Sequence, residues 1–199
     1  MIRLLGRKTS GNVQKVVWLL EELGLPYSRE DYGRQFNNTA DEAYLTLNPN
    51  GKVPTLVDGD FAIWESNTIL RYLASKAGGR LYASEIAAKS RIERWMDWQL
   101  AVLDQPYLAV FREAKTEPEK RSPQFAANVA ALGQVMSILE RGMNGAKWVV
   151  GAELTIADIA LGPALHRCFG FGVELPALTN LRRWHGEVAK RPAFQKATG

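Results

Sequence analysis

The chain has 199 residues, of which 46% are hydrophobic and 23% are charged, and its formal net charge is +4. This composition excludes a disordered or collagen-like chain. The Lys and Arg residues form no block that would bind nucleic acid. No apolar run reaches the length of about 18 residues that a membrane span needs. A single cysteine, Cys168, and two histidines, His166 and His185, predict neither an internal disulfide nor a metal site, and we expect a cytoplasmic protein without nucleic-acid or membrane partners.

The first eighty residues alternate short strand-like runs with helical runs. Residues 2–5 predict a strand, and the valines and leucines that follow stand at helical spacing until Gly24 and Pro26 end the helix. A second strand over residues 27–31 completes a β-α-β unit, whose two strands are expected to be parallel.

A β-β-α unit comes next. Asn48-Pro49-Asn50-Gly51 is a dense turn signal. Residues 55–58 and 61–64 predict the two strands of an antiparallel hairpin, and a helix that starts near Ser66 closes the unit.

Beyond residue 83, every predicted element is a helix. The spacing of apolar residues predicts helices around residues 92–103, 125–139 and 178–188. Thr155-Ile156-Ala157-Asp158 is a capping box, whose chemistry concerns helix initiation rather than catalysis. The sequence therefore predicts an α+β domain over residues 1–79, followed by an all-α helical bundle over residues 84–199.

Two segments beside predicted strand ends carry candidate binding residues. Lys52-Val53-Pro54 enters the third strand, where the proline removes a ladder donor and leaves the backbone of Val53 for a ligand's peptide group; an ordinary turn is the alternative. Glu65 and Ser66 lie where a strand meets a helix, so Ser66 and the helix N-terminus suit a carboxylate and Glu65 suits an ammonium group. Simple capping by Ser66 is the alternative for this segment.

A polar turn between the first strand and the first helix presents Ser10 and Asn12. Ligands of α/β sheets bind beyond the carboxyl ends of strands, where this turn lies. Both side chains can donate hydrogen bonds beside a helix N-terminus, although Ser10 also fits a simple capping role. The sequence contains no Gly-x-Ser-x-Gly elbow, the motif that would predict a serine hydrolase of the α/β type.

Together these motifs give the sequence a resemblance to the cytosolic glutathione transferase family over essentially its whole length. The motifs, in order, are Ser10-Gly11-Asn12-Val13, Asn48 to Pro54, Glu65-Ser66 and Thr155-Ile156-Ala157-Asp158. The sequence has no tyrosine near the amino terminus to activate the thiol, so it is most similar to the bacterial and fungal theta-like, beta-like and nu-like branches. It also has no cysteine in the first turn, and in this it departs from the omega and beta types. The resemblance implies a thioredoxin-like N-terminal domain (βαβ-ββα), an all-helical C-terminal domain and a homodimer.

The resemblance also implies how the candidate residues bind glutathione. Val53 is expected to bind the cysteinyl part through its backbone, with Pro54 in the cis form. Glu65 and Ser66 are expected to hold the γ-glutamyl head. Three further residues are expected near the glycyl carboxylate, the first being the strongest candidate: Lys52, Arg34 and Gln35.

The activity implied is transfer of glutathione, as its thiolate, to small electrophilic molecules, as in detoxification. Either Ser10 or Asn12 is implied to face the sulfur. One hydrogen bond to an anion contributes about 1.5–3 kcal/mol, which lowers a thiol pKa by about one to two units. The alternatives are a glutathione-dependent disulfide or peroxide reductase and a non-catalytic module that binds ligands.

Overall fold

The computed structural model describes all residues from Met1 to Gly199. The strands are β1 (Ile2–Leu5), β2 (Tyr27–Glu30), β3 (Thr55–Asp58) and β4 (Phe61–Trp64). The α-helices are α1 (Gly11–Leu23), α2 (Glu42–Leu47), α3 (Ser66–Lys76), α4 (Ile86–Trp98), α5 (Asp104–Glu113), α6 (Phe125–Met143), α7 (Ile156–Phe169), α8 (Thr179–Ala189) and α9 (Pro192–Thr198). Contacts group the chain into two compact units, the first comprising Met1–Tyr82 with Lys190–Gly199 and the second Ala83–Ala189.

The first unit is built on a four-stranded sheet in the order β2-β1-β3-β4. β1 and β2 run parallel, and β3 runs antiparallel to both β1 and β4, which confirms the predicted β-α-β unit and hairpin. The central strands β1 and β3 bury their apolar side chains, with Leu4, Leu5 and Leu56 fully inaccessible to solvent. α1 packs against α3 and ends at Gly24, whose φ of 66° lies in the left-handed region that glycine adopts at little cost.

The last ten residues also belong to the first unit, because α9 packs on α1. Phe194 is 1% exposed and meets the Trp18 ring edge-on, with 4.7 Å between ring centroids. The Arg191 guanidinium pairs with both carboxylate oxygens of Glu22. The expected division into residues 1–79 and 84–199 did not anticipate this grouping, since a short helix with one large apolar anchor gives no clear period.

The second unit is entirely helical, as predicted for this part of the chain. A π-helical segment, Gln99–Leu103, joins α4 to α5, so the predicted helix around residues 92–103 extends further in both directions. α7 is buried along most of its length and packs against α4, α5 and α8. No helix of the chain combines the length and the apolar character that crossing a membrane requires.

Candidate functional site

Three polar segments meet at one end of the sheet because of its strand directions. Thr55, the first residue of β3, pairs with Leu5 at the end of β1 and with Trp64 at the end of β4. The turn after β1, the loop before β3 and the start of α3 therefore emerge side by side. The sheet brings together the residues that sequence reasoning singled out.

The loop before β3 holds its backbone in a fixed and open form. The Val53–Pro54 peptide bond is cis, as the resemblance implied. The Lys52 carbonyl accepts hydrogen bonds from the Tyr44 hydroxyl (2.6 Å) and from Asn48 Nδ2 (2.8 Å), and both side chains also bond the Thr55 hydroxyl. Burial raises the pKa of Tyr44, which keeps its hydroxyl protonated. No hydrogen bond within the chain engages the backbone of Val53, so its N–H and C=O can pair with a ligand's peptide group.

The junction of β4 and α3 differs from the simple capping alternative. Glu65, not Ser66, occupies the N-cap position, and its φ of 66° and ψ of 112° lie in a region that L-residues rarely adopt. Ser66 is the first residue of the helix, and its hydroxyl donates to Asn12 Oδ1 at 3.3 Å rather than capping the helix. The alternative that Ser66 caps the helix is therefore wrong, because Glu65 is the N-cap residue and helical geometry already begins at Ser66, one residue earlier than such a cap would allow. The Glu65 side chain is exposed at the mouth of this junction.

The turn after β1 approaches the same point. A Cβ added at Gly6 would lie 2.5 Å from Val13 Cγ2 and 3.3 Å from Val53 Cβ, so only glycine allows the turn to pack this closely. Ser10 is the N-cap residue of α1, but its side chain makes no capping hydrogen bond. Asn12 is exposed, and because its Oδ1 accepts the Ser66 hydroxyl, its Nδ2 is the group that can donate to a ligand.

Three candidates for the glycyl carboxylate lie at the rim. The side chains of Lys52, Arg34 and Gln35 are all exposed. Gly33, which precedes Arg34, packs beside Val53, since a Cβ there would lie 3.3 Å from Val53 Cγ1. The structure thus places all three on segments that border Val53, with no contact that assigns one of them a role.

Sequence reasoning missed one residue of this cluster. Lys15 of α1 is 2% exposed, and its Nζ lies 3.5 Å from Ser66 Oγ and 3.4 Å from Asn67 Oδ1. Both partners are also 2% exposed. A lysine within an amphipathic helix usually faces solvent, so only the tertiary contacts reveal that this one lies inside.

The helical unit holds polar groups whose surroundings indicate a structural role. The predicted capping box is confirmed, and the fully buried Asp158 carboxylate accepts hydrogen bonds from Val149 N, Thr155 N and Trp184 Nε1, each at 2.8 Å. Cys168 is also buried, and burial raises the pKa of its thiol, which keeps it protonated and unreactive. The chain contains no cluster of three His, Cys, Asp or Glu side chains that could hold a metal ion.

Comparison with known proteins identifies the family. The family model for the glutathione S-transferase N-terminal domain matches residues 2–75, and the model for the glutathione S-transferase C-terminal domain matches residues 97–192. The chain belongs to the glutathione S-transferase family. It is 37% identical to glutathione S-transferase GstB of Escherichia coli strain K12 over 201 residues, which cover 98% of this chain and 97% of that protein.

Solved glutathione S-transferases share this fold. The theta class glutathione S-transferase of the citrus canker pathogen Xanthomonas axonopodis pv. citri, solved with glutathione bound, has a TM-score of 0.93 at 33% identity, over 99% of this chain and 96% of that one. A glutathione transferase family member from Pseudomonas fluorescens Pf-5, solved with two glutathione bound, has a TM-score of 0.88 at 26% identity, over 99% and 92%. The predicted resemblance and fold class, a thioredoxin-like domain followed by a helical one, are confirmed.

Proposed function

We propose that this protein is a glutathione S-transferase, which binds glutathione, stabilises its thiolate and transfers it to small electrophilic molecules. The observation that carries the proposal is the backbone of Val53, which no hydrogen bond within the chain engages and which lies at the same sheet end as Glu65 and Ser66. Such an arrangement matches a peptide with an amino-acid head, since one segment pairs with an amide and the other with a carboxylate and an ammonium group. The family membership and the glutathione in the similar solved structures support the same ligand.

Each candidate residue then takes a part of glutathione. The backbone of Val53 pairs with the cysteinyl residue. The α-amino group of the γ-glutamyl head pairs with the Glu65 carboxylate, and the α-carboxylate binds Ser66 at the N-terminus of α3. Three exposed side chains at the rim attract the glycyl carboxylate, with Lys52 the strongest candidate: Lys52, Arg34 and Gln35.

The thiolate is stabilised by a neutral donor from the turn after β1. Asn12 is the stronger candidate, because its side chain is exposed beside Ser66 and its Nδ2 can donate to the sulfur. Ser10 is the second candidate, with a hydroxyl that makes no capping bond but is only 8% exposed. The N-terminal end of α1 acts in the same direction, because its dipole favours negative charge nearby.

The remaining expectations from the sequence also belong to this proposal. A homodimer and a cytoplasmic location are typical of the role, and small electrophiles are the second substrate. A chloroaromatic electrophile yields a thioether when the protein is a transferase, whereas oxidised glutathione formed from a small disulfide identifies a reductase. Product analysis with both compounds therefore distinguishes transfer from the alternative of disulfide reduction.

Calorimetric titration with glutathione tests the proposal directly. The wild-type protein is expected to bind glutathione, and Ser66→Ala to weaken binding about tenfold, because one hydrogen bond to a carboxylate is lost. Ser75→Ala is the matched control, since this residue is exposed near the other end of α3. A folded wild-type protein that binds no glutathione would contradict the proposal and favour the alternative of a non-catalytic module.

A further inference from the structure

Beneath the site described above lies a buried lysine that the proposed map of glutathione does not use. Lys15 projects from α1 to the first turn of α3, where its ammonium group meets Ser66 Oγ and Asn67 Oδ1. All three side chains are 98% buried. A positive charge is costly to bury, so its position directly behind the expected carboxylate site calls for an explanation.

We propose that Lys15 is a positioning residue for the γ-glutamyl carboxylate of glutathione. The inference rests on the proposed function and extends it to a residue that does not line the open face of the site. Lys15 acts in two ways, by orienting the Ser66 hydroxyl and by adding a positive charge behind the N-terminus of α3.

Orientation follows from the number of donors and acceptors. An ammonium group can only donate, so the oxygen of Ser66 accepts from Lys15 and the hydroxyl hydrogen must point elsewhere. In the structure that hydrogen points to Asn12 Oδ1. A carboxylate that arrives at the start of α3 is a stronger, charged acceptor for the same hydrogen. Lys15 thereby keeps Ser66 as a donor to the ligand.

Charge adds to this effect because the ammonium group itself is shielded from water. Attraction between opposite charges grows as the effective dielectric constant falls, and the Lys15 ammonium lies among buried groups. Asn67 Oδ1 also accepts a hydrogen bond from the ammonium group, at 3.4 Å. The positive end of the α3 dipole points to the same place, so the two contributions have the same sign.

Two ligands that differ only in the carboxylate test this role. Glutathione and 4-aminobutyryl-cysteinyl-glycine, which lacks the α-carboxylate of the γ-glutamyl residue, are titrated calorimetrically into the wild-type protein and three variants. Lys15→Met removes the donor and the charge, whereas Lys15→Gln removes the charge and keeps a donor. Lys76→Met is the matched control, because it removes a lysine from the exposed C-terminal end of the same helix α3.

The expected result is selective for the carboxylate. Lys15→Met weakens glutathione binding about tenfold or more but changes binding of the decarboxylated analogue less than about twofold, with Lys15→Gln between wild type and Lys15→Met and Lys76→Met unchanged. In steady-state assays the KM for glutathione rises while kcat at saturation changes less than about threefold, since the interaction is present in the ground state as well.

Other outcomes overturn the inference in distinguishable ways. Equal weakening of both ligands by Lys15→Met and Lys15→Gln would mean that the lysine only supports the fold, and unchanged glutathione affinity would mean that it has no role toward the carboxylate. Should Lys15→Met fail to fold, as thermal unfolding would show, the two ligands are compared on Lys15→Gln alone, with the same criteria. Failure of the wild-type protein to bind either ligand would instead contradict the proposed function itself.

Discussion

Replacing Asn12 with alanine is expected to raise the pKa of the bound glutathione thiol by about one unit or more. The Asn12 amide oxygen accepts the Ser66 hydroxyl at 3.3 Å, which leaves Nδ2 as the donor for the sulfur. Alanine removes that donor without touching the helix N-terminus, because the backbone of α1 still begins after Ser10. The substitution therefore removes the donor to the sulfur together with the acceptor of the Ser66 hydroxyl.

The magnitude follows from the energy of a hydrogen bond to a charged group, about 1.5–3 kcal/mol, which equals about one to two pKa units. A free thiol has a pKa of about 8.5, so a bound thiol with one such bond is expected near 7 and is about half ionised at neutral pH. Loss of the bond returns the ionised fraction to a few per cent. The rate of conjugation at neutral pH should then fall about tenfold, because the thiolate is the nucleophile.

The assay is a pH titration of the protein–glutathione complex, read by the ultraviolet absorbance of the thiolate, with the conjugation rate measured over the same pH range. Ser10→Ala is the comparison, and a smaller shift is expected because the Ser10 side chain is only 8% exposed. Thr68→Ala, on the exposed face of α3, is the control and should leave the thiol pKa unchanged. An unchanged thiol pKa in Asn12→Ala, with glutathione still bound, would refute this assignment.

Three further predictions concern strain, burial and titration. Glu65→Gly should be more stable than Glu65→Ala by about 1 kcal/mol in denaturant unfolding, because glycine relieves the strained φ of 66°. Both variants should bind glutathione more weakly than the wild-type protein. Equal or greater stability of the alanine variant would contradict the strain. Asp158→Ala should lower the free energy of unfolding by about 3–5 kcal/mol, or the Tm by roughly 6–20 °C, since it leaves several buried donors unpaired. The control Glu153→Ala, at an exposed position nearby, should change the free energy of unfolding by less than about 0.5 kcal/mol. A similar Tm for both variants would refute the role of the carboxylate. Burial lowers the pKa of both His166 and His185, whose rings share one hydrogen bond at 2.9 Å. As the pH falls, the histidines of the unfolded chain therefore bind protons before those of the folded chain, and the free energy of unfolding should decline below about pH 6.5. His185→Gln should flatten this decline, and an identical pH dependence in the variant would contradict the prediction.

Most of the first unit could be predicted because its signals are local. The hydrophobic periods of β1, α1 and α3, and the turn signals between them, are each contained within a short stretch of sequence. The same holds for the candidate site, because every residue chosen follows or precedes a strand. Strand direction then brings those residues to one end of the sheet, as the pairing of Thr55 with Leu5 and Trp64 shows.

The features that were missed depend on contacts between distant parts of the chain. Lys15 meets Ser66 and Asn67, which lie 51 and 52 residues further on, and a charged residue in a helix gives no sign of such burial. The docking of α9 on α1 depends on Phe194 meeting Trp18. The role of Glu65 as the N-cap residue was also missed, since propensity favours Ser66 as the cap and takes no account of a strained residue held by its surroundings.

The hydrogen bonds that run from the buried Lys15 through Ser66 to the exposed Asn12 link the two halves of the proposed site. At the carboxylate end the interaction is with a full positive charge, whereas at the sulfur end it is with a neutral amide. This division suits the chemistry, because a carboxylate is ionised at any physiological pH and needs only affinity, while a thiolate must stay reactive and a cation beside it would bind it more tightly than catalysis requires. Placing the lysine behind Ser66, and not beside the sulfur donor Asn12, therefore lets a single cluster anchor one end of the ligand while only moderately stabilising the nucleophile at the other.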